Sequence, residues 1–591
     1  MERREPEQRQ EGWGSVTEEV SPGILLGIRT QLEEAAHEMD ATLRQAASSA
    51  AIGRHGATAA GYYTATGSLM IGGRESHPLL LEATAGALSF LAEQKSKASQ
   101  TFAPDALYWT NDPGGHAAGL EDLILACPVI RDARVISFVA VMATHTALGR
   151  AALAPVGSLR REGLLLPWSE LGRVGAVRGE ILDILAANLE TPAEFLADLR
   201  AQTHALCLGR QVMEALLDRE GPKTIAQARE MLGQGFRRAL GAIVPKLERG
   251  GATGHMAPFS VRMTREGDGM LVSVKAEDGA LHPLPTPALA RAAVRAALRE
   301  VLSAEVPALG VAGGFADGIR IETSWDSPGA DVPIGASRFV GAQAVRAAVL
   351  AAFAETVPHL ARAPDAGFVL VDLRGERADG SRYRVRLELS GGLGASVFGD
   401  GMTHTASSSH PQCLRSVEAI ERALPLRVLR FELCPDSAGP GQYRGGLGAS
   451  MERELLEGRA EVDLLLPGRP VGLRGGMRGA NARLILRTPE AGRREEVGPL
   501  QLTLMLRAGH RLVLESPGGG GWGLPFQRSI MRIEEDLARG LITPDQSKQR
   551  YGVVTKPGSL EKDDHLTYRV RHYLLSTLAA EDIIAGEELL D

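Results

Sequence analysis

Apolar residues in the first hundred positions recur at helical spacing in two stretches. From Ile24 to Leu43 they fall every three or four residues, which places them on one face of a helix predicted over 23–49. A second helix is predicted over 79–93. Residues 57–71, between the two, have the pattern of a β-hairpin.

Two runs rich in branched side chains come next. Residues 120–130 and 135–143 each predict a buried strand, and the polar turn Arg131–Arg134 joins them into an antiparallel pair. The sequence Thr191–Glu194 then combines a threonine cap, a proline and a glutamate at capping-box spacing. This combination predicts the start of a long helix.

The second half of the chain is richer in strands. Strand patterns at 259–264 and 270–276 precede two predicted helices, at 287–304 and 341–357. From residue 366 onward, short strands alternate with glycine-rich turns. Such spacing favours a sandwich or a closed sheet over βαβ units.

These patterns together predict a multidomain α+β fold, with a helical and mixed N-terminal half and a β-rich, glycine-turn C-terminal half. The length of 591 residues suggests about three or four domains. The predicted division is a disordered tail (1–20), an α/β domain with the candidate site (21–245), a mixed middle domain (246–390), a β-rich domain (391–525) and a C-terminal helical segment (526–591).

Glycine is unusually abundant, with 69 residues in the chain and 24 of them between Gly391 and Pro525. This density indicates turns, bulges or close approaches of the backbone. A G-x-G-x-x-G pattern occurs at Gly518, Gly520 and Gly523. Because Pro525 follows it and cannot lie inside a continuing helix, we do not expect a dinucleotide-binding loop here.

Charge and cysteine content exclude several classes of protein. The net charge is −7 and no block of Lys or Arg stands out, which argues against a nucleic-acid partner. The four cysteines are widely spaced, as in reduced thiols. No apolar run reaches the length of a membrane span, and the polar N-terminus does not resemble a signal peptide. We therefore expect a cytoplasmic protein.

The densest polar cluster surrounds the first predicted strand pair. Asp112 and His116 precede the first strand, Asp122 begins it, and His145 follows the second strand. In an antiparallel pair these ends meet, so Asp122 and His145 are expected close together, as an acid/base pair or part of a divalent-metal site. In the structural alternative, Asp112 caps a turn, His116 is solvated and Asp122 pairs with an arginine.

A second polar cluster lies at 398–410. His404 is followed by the hydroxyl run Ser407, Ser408 and Ser409, which offers hydrogen-bond donors to an anionic or amide substrate. The alternative is a surface loop with no ligand.

Several segments together resemble the B subunit of the hydantoinase and oxoprolinase family, which includes one subunit type of the acetone and acetophenone carboxylases. The resemblance runs from about Ser21 to Val554. Its landmarks are Asn111–Pro113 with Asp122, Glu162–Leu164, Asn188–Gln202, Pro425–Val428, Cys434–Gly448, Ser516–Pro525 and Tyr551–Val554.

The resemblance implies a subunit of a hetero-oligomer. Its partner is an A-type, actin-like ATPase subunit that phosphorylates an amide or enol oxygen of the substrate, so that ATP is held only by the partner. In hydantoinases and oxoprolinases the B subunit then hydrolyses the activated cyclic amide. On this basis Asp122, His145 and Asp112 are the expected catalytic residues, and His404 with the three serines contacts substrate.

The resemblance also implies a divalent metal (Zn, Mn or Fe), here on Asp122, His145 and His116. Gly119, however, stands where the family has a histidine, and residues 144–150 lack a histidine and an aspartate of the family pattern. The family's aspartate near the N-terminus is also missing from residues 54–58. Since a divalent ion needs about three ligands, Asp122 and His145 need a further donor.

Two alternatives to the hydrolase therefore stay open. One is a component of a ketone carboxylase. The other is a paralogue that keeps the fold, has lost the chemistry and serves as a scaffold for the partner subunit.

Overall fold

The computed structural model describes residues 20–53, 58–149, 162–189, 191–247, 250–277, 284–305, 318–325, 338–405, 416–489 and 492–577. The predicted tail lies outside these residues except for residue 20, and so do Ser407, Ser408 and Ser409. Helices and strands occur throughout the described chain, which confirms the multidomain α+β class.

A seven-stranded antiparallel sheet forms the N-terminal part. Its strands are β1 (Thr58–Thr64), β2 (Leu69–Gly72), β3 (Ala106–Thr110), β4 (Asp122–Arg131), β5 (Arg134–Thr144), β6 (Ser169–Arg173) and β7 (Ala176–Val177). They lie in the order β2-β1-β5-β4-β3-β6-β7, so the predicted β4–β5 pair is central. The predicted hairpin at 57–71 corresponds to β1 and β2.

Five helices accompany this sheet. They are α1 (Pro22–Ala46), α2 (Ala50–Gly53), α3 (Pro78–Lys97), α4 (Gly179–Asn188) and α5 (Pro192–Ile243), the last interrupted at Gly221. Because successive strand residues point to opposite faces, Leu123 joins the core under α1 and α5 and Ile124 joins the core that includes α3. Thr191 is the N-cap of α5, but its side chain makes no capping hydrogen bond, so the predicted capping box is not formed.

A second sheet and two helices follow. The strands are β8 (Ala252–Met256), β9 (Phe259–Glu266), β10 (Gly269–Ala276) and β11 (Ile319–Thr323), in the order β11-β10-β9-β8. Helices α6 (Pro287–Glu305) and α7 (Arg338–Ala352) pack with this sheet, and α6 also packs against α3. One continuous apolar core therefore joins the N-terminal sheet to the middle part of the chain.

The C-terminal half contains the predicted sandwich. Its elements are β12 (Phe368–Glu376), β13 (Arg382–Ser390), α8 (Val417–Ala423), β14 (Leu426–Leu433), β15 (Ala449–Leu455), β16 (Arg459–Leu466), β17 (Arg483–Thr488), β18 (Gly492–Val497), β19 (Leu500–Arg507) and β20 (Arg511–Glu515). One sheet has the order β13-β12-β16-β19 and the other β14-β15-β20-β17-β18. Apolar residues of both sheets share one core.

Glycine-rich segments beside the sandwich pack backbone against backbone. This glycine bundle consists of residues 391–401, 439–448, 472–479 and 518–523. Gly446 donates its N–H to the Leu393 carbonyl oxygen at 2.8 Å and accepts one from Gly519 at 2.9 Å. A Cβ atom on Gly446 would lie 1.9 Å from the carbonyl oxygen of Met402. The glycine excess therefore reflects close backbone approach as well as turns.

Three helices complete the described chain: α9 (Ile530–Ala538), α10 (Pro544–Tyr551) and α11 (Asp564–Thr577). Gly540, just beyond α9, has φ +66°, as a helix-terminating glycine should. The Thr543 hydroxyl accepts the N–H of Gln546 at 3.2 Å, so the predicted cap of α10 is formed. Pro525 opens only a single 3₁₀ turn after the G-x-G-x-x-G sequence.

The described helices include none that is both long enough and apolar enough to cross a membrane. Three of the four cysteines, Cys127, Cys207 and Cys434, lie in the described chain as free thiols, in agreement with the expectation of reduced cysteines.

Candidate functional site

The β4–β5 hairpin brings Asp122 and His145 to the same end of the N-terminal sheet. Asp122, the first residue of β4, pairs in register with Thr144, the last residue of β5. His145 follows directly and donates its backbone N–H to the Glu121 carbonyl oxygen at 2.6 Å. Both side chains are buried, with 0% of Asp122 and 2% of His145 exposed. This is the arrangement that the strand pattern predicts.

Gln202 on α5 sets the orientation and tautomer of His145. The Gln202 amide nitrogen donates to the carbonyl oxygens of Leu123 and Val141, each at 2.8 Å, which uses both of its hydrogens. The Gln202 Oε1 atom, 3.0 Å from His145 Nε2, can only accept. The hydrogen of the neutral ring is therefore on Nε2, and Nδ1 keeps its lone pair. Among the described residues, this buried Nδ1 has no hydrogen-bond partner.

The surroundings of His145 favour its neutral form. Burial lowers the pKa of the His145 imidazole below its ordinary value, against the opposing effects of the Gln202 hydrogen bond and of the Asp198 and Asp122 carboxylates. Asp198 lies one turn before Gln202 on α5 and accepts the backbone N–H of Ser48 at 2.5 Å. The site therefore contains a neutral, buried base near two carboxylates.

Asp122 and the ring of His145 each have a further fixed neighbour. The Thr144 hydroxyl donates to Asp122 Oδ1 at 2.8 Å. Phe195, on the first turn of α5, packs edge-on against the His145 ring with 5.1 Å between centroids. These contacts orient both side chains and place an aromatic ring against the imidazole.

Asp112 and His116 lie apart from this pair. Asp112 accepts the backbone N–H of Gly114 at 2.8 Å and caps the turn, as the structural alternative proposed. His116 has φ +70°, and its ring lies 4.6 Å from that of Phe90 on α3. Because α3 and α5 cover opposite faces of the sheet, the structure does not bring His116 to His145.

His404 lies at another part of the surface. Its Nδ1 donates to the Ser390 carbonyl oxygen at 2.8 Å, and its ring lies 5.5 Å from that of Phe431. Burial lowers the pKa of His404, while the hydrogen bond to Ser390 opposes this effect. Ser390 ends β13, four residues or about 13 Å along the strand from Arg386.

Arg386 connects the sandwich to the hairpin end. It donates to both carboxylate oxygens of Glu121, at 2.5 and 3.2 Å, and to Asp372 at 3.4 Å. Burial alone would lower the pKa of the Arg386 guanidinium, but Glu121 and Asp372 hold it above its ordinary value. Arg384 adds a hydrogen bond to the Gly149 carbonyl oxygen at 2.9 Å. Ion pairs from the sandwich thus fix the residue next to Asp122.

The donor set at this site does not fit a divalent metal. Across the described residues, no group of three or more His, Cys, Asp or Glu side chains could hold an ion. Asp122 and His145 are two donors, whereas His116 faces the other side of the sheet and Asp112 closes its own turn. A divalent ion takes three or more good ligands, so we derive no step through a metal.

Sequence reasoning missed three residues that contact or surround the pair. Thr144, Asp198 and Gln202 were visible only as parts of strand and landmark sequences. The spacing of Asp198 and Gln202, four residues apart on a predicted helix, could have identified them, because such residues share one helix face.

The same fold occurs in two solved structures. Acetone carboxylase in its nucleotide-free form superposes with a TM-score of 0.81 at 16% identity, covering 95% of this chain and 84% of that one. The ATP-dependent caprolactamase from Pseudomonas jessenii superposes with a TM-score of 0.80 at 20% identity, covering 94% of this chain and 100% of that one. At these identities the similarity establishes the fold alone.

Sequence comparison identifies the family. Residues 25–525 match the Hydantoinase B/oxoprolinase family. The putative B-type subunit of a D-/L-hydantoinase from Pseudomonas sp. (strain NS671) is 25% identical over 534 residues, which cover 84% of this chain and 88% of that protein. The chain belongs to the hydantoinase B/oxoprolinase family.

Proposed function

We propose that this chain is the B-type subunit of an ATP-coupled hydrolase that opens a cyclic amide activated by a partner A-type subunit. One observation carries the proposal. His145 is held neutral, with its hydrogen on Nε2 and a buried, unpartnered Nδ1 beside Asp122. A lone pair in this position can take a proton from water.

The proposed reaction begins with an amide oxygen phosphorylated by the partner subunit, which makes the carbonyl carbon electrophilic. His145 Nδ1 takes a proton from a water molecule as the water oxygen bonds to that carbon. The electron pair of the C=N bond goes to the substrate nitrogen, which takes that proton from Nδ1. When the C–N bond then breaks, the hydroxyl proton of the tetrahedral intermediate passes through Nδ1 to the same nitrogen, which leaves an acyl phosphate and a free amine. A second water then hydrolyses the resulting acyl phosphate to a carboxylate and phosphate.

The carboxylates near His145 have a supporting role in this scheme. When Nδ1 takes a proton the ring becomes positively charged, and Asp122 and Asp198 stabilise that charge. Gln202 Oε1 keeps its hydrogen bond from Nε2 in both protonation states, so the ring does not need to turn. We propose that this histidine base takes over the role of the metal-binding residues that the chain lacks relative to the family pattern.

The partner and substrate class rest on the relatives. The structural neighbour from Pseudomonas jessenii is described as an ATP-dependent caprolactamase, and the sequence relative as part of a hydantoinase. Both names denote ring amides. For this chain, an A-type ATPase partner and a ring-amide substrate are therefore part of the proposal. Because His404 lies at another part of the surface from His145, contact of His404, Ser407, Ser408 and Ser409 with substrate stays a prediction separate from the hydrolytic step.

Two other functions are separable by experiment. A non-catalytic scaffold is favoured by the shortage of metal donors around Asp122 in the described chain. A ketone carboxylase component is favoured by the fold shared with acetone carboxylase. The scaffold predicts no dependence on His145, and the carboxylase predicts turnover of a ketone with a carboxyl donor.

The test is reconstitution with the A-type partner and a panel of hydantoin, 5-oxoproline, caprolactam and acetone with bicarbonate. We expect ATP-dependent ring opening of at least one amide, and a decrease in kcat of about 10²- to 10⁴-fold in His145→Gln. His255→Gln, at an exposed histidine, is the matched control. Equal ring opening by His145→Gln and wild type would refute the assigned base, and turnover of acetone alone would select the carboxylase.

A further inference from the structure

A row of three arginines lies along α6, on the side that packs against α3. Arg291, Arg295 and Arg299 are spaced four residues apart, so they share one face of the helix. Arg299 is buried and pairs with the buried carboxylate of Glu82 on α3 at 2.5 Å. Arg291 and Arg295, nearer the N-terminus of α6, differ from Arg299 in their partners.

Arg291 and Arg295 have no acidic or carbonyl partner within the described chain. Both are half-buried, and Nε of Arg295 is fully covered yet makes no hydrogen bond. Burial and the neighbouring Arg295 lower the pKa of the Arg291 guanidinium. The positive charges of these two guanidinium groups are therefore not neutralised within the described chain. A buried charge costs free energy unless it is paired.

The imidazole of His116 is a third nitrogen-containing group at this place. Its ring packs against Phe90, it hydrogen-bonds the backbone of Gly86 on α3, and it lies within electrostatic range of Arg291. Burial lowers the pKa of the His116 imidazole, and the positive charge of Arg291 lowers it further. The carboxylate of Glu93 opposes this shift, but it is exposed and lies 2.6 Å from the ammonium group of Lys97.

We propose that Arg291, Arg295 and His116 form a binding site for a phosphate-class oxyanion, where α6 packs against α3. A tetrahedral oxyanion carries up to two negative charges and several acceptor oxygens, which match two guanidinium groups and an imidazole. The site lies on the face of the N-terminal sheet opposite His145. It is therefore separate from the proposed hydrolytic site and does not depend on it.

A phosphate-class ligand suits the site better than a carboxylate for a reason of charge. A monovalent carboxylate would leave one of the two arginines unpaired, whereas a phosphate dianion neutralises both. The anion can be free phosphate or the phosphoryl group of a monoester. Both sources have the same recognition chemistry, and the test below separates them.

The test is calorimetric titration of the purified full-length chain, without any substrate. We expect inorganic phosphate, methyl phosphate or both to bind with saturation, and acetate to bind at least about tenfold more weakly. Tighter binding of methyl phosphate than of inorganic phosphate would identify a monoester site, and the reverse order a free-phosphate site. The double variant Arg291→Gln/Arg295→Gln should weaken binding by about tenfold or more. Arg422→Gln, at an exposed arginine on α8, removes one charge elsewhere and should leave binding unchanged.

Thermal unfolding supplies a second measurement in case the double variant is altered in stability. Phosphate should raise the unfolding temperature of the wild type and not that of the double variant, because a ligand stabilises only the state that binds it. Without phosphate, the double variant should unfold at a temperature no lower than wild type, since two uncompensated charges are gone. Absence of saturable phosphate binding, or equal binding by the double variant, would overturn the proposal.

Discussion

The glycine bundle and the end of the β4–β5 hairpin are ordered in contrasting ways. In the bundle, main-chain atoms touch main-chain atoms, and Gly446 has no space for a single additional carbon. At the hairpin end, order depends on polar side chains from two parts of the chain: Gln202 and Asp198 on α5, and Arg386 on β13. The bundle therefore tolerates few substitutions, whereas the hairpin end can change its chemistry while the backbone stays in place.

The largest predicted effect is in the bundle. Gly446→Ala places a Cβ atom 1.9 Å from the Met402 carbonyl oxygen and 2.5 Å from its carbon, so the backbone must move. We expect a loss of at least about 4 kcal/mol in the free energy of unfolding, measured by denaturant titration. Gly399→Ala is the control, because nothing lies within 4 Å of its added carbon. Similar stability of the two variants would contradict the close-contact account.

The next largest effect is predicted at the contact between the sandwich and the hairpin end. Arg386→Gln removes the guanidinium that neutralises Glu121, a carboxylate with 4% of its surface exposed. We expect a loss of about 3 kcal/mol, because breaking a buried ion pair leaves one charge undercompensated. Arg459→Gln breaks the exposed pair with Glu376 on neighbouring strands and should cost below about 1 kcal/mol. If both variants lose the same amount, the contact between sandwich and hairpin is not a stabilising one.

A smaller effect is predicted within the hairpin end. Gln202→Leu leaves the carbonyl oxygens of Leu123 and Val141 and the Nε2–H of His145 without this partner. We expect a loss of about 2 kcal/mol in unfolding free energy, together with decreased turnover in the reconstituted enzyme. Gln234→Leu, at an exposed position of α5 beyond its interruption at Gly221, should change neither quantity. Full turnover in Gln202→Leu would exclude a role in orienting His145.

The smallest effect is the pH dependence contributed by His145. Its folded-state pKa is below the unfolded value of about 6.5, so below that pH the unfolded chain binds a proton that the folded chain does not. Stability is therefore full above about pH 6.5 and falls as the pH decreases. We expect His145→Gln to lose less stability than wild type between pH 7.5 and 5.5. His116 and His404 shift in the same direction, so only the difference between variants is informative.

Periodicity predicted most of the elements because most of them bury an apolar face, although β14 is largely exposed. The hairpin of β4 and β5, and therefore the meeting of Asp122 with His145, follows from two runs rich in branched side chains and the polar turn between them. The partners of His145 could not be predicted in this way. Gln202 lies 57 residues away on α5, and only packing of that helix on the sheet brings it to the ring.

The position of His116 depends on one backbone torsion. In the sequence, His116 lies a few residues before Asp122, and it was therefore expected at the same site. The left-handed conformation at His116, φ +70°, directs its ring to α3 instead. No pattern of hydrophobic and polar residues encodes such a torsion in a non-glycine residue.

The glycine bundle also has a thermodynamic consequence. Exposure of apolar surface raises the heat capacity on unfolding, whereas exposure of peptide groups lowers it. A core formed by peptide groups, such as the contacts of Gly446 with Leu393 and Gly519, therefore contributes little to the heat-capacity change of the whole chain. The stability of this part of the molecule should vary less with temperature than that of the leucine-rich sandwich beside it.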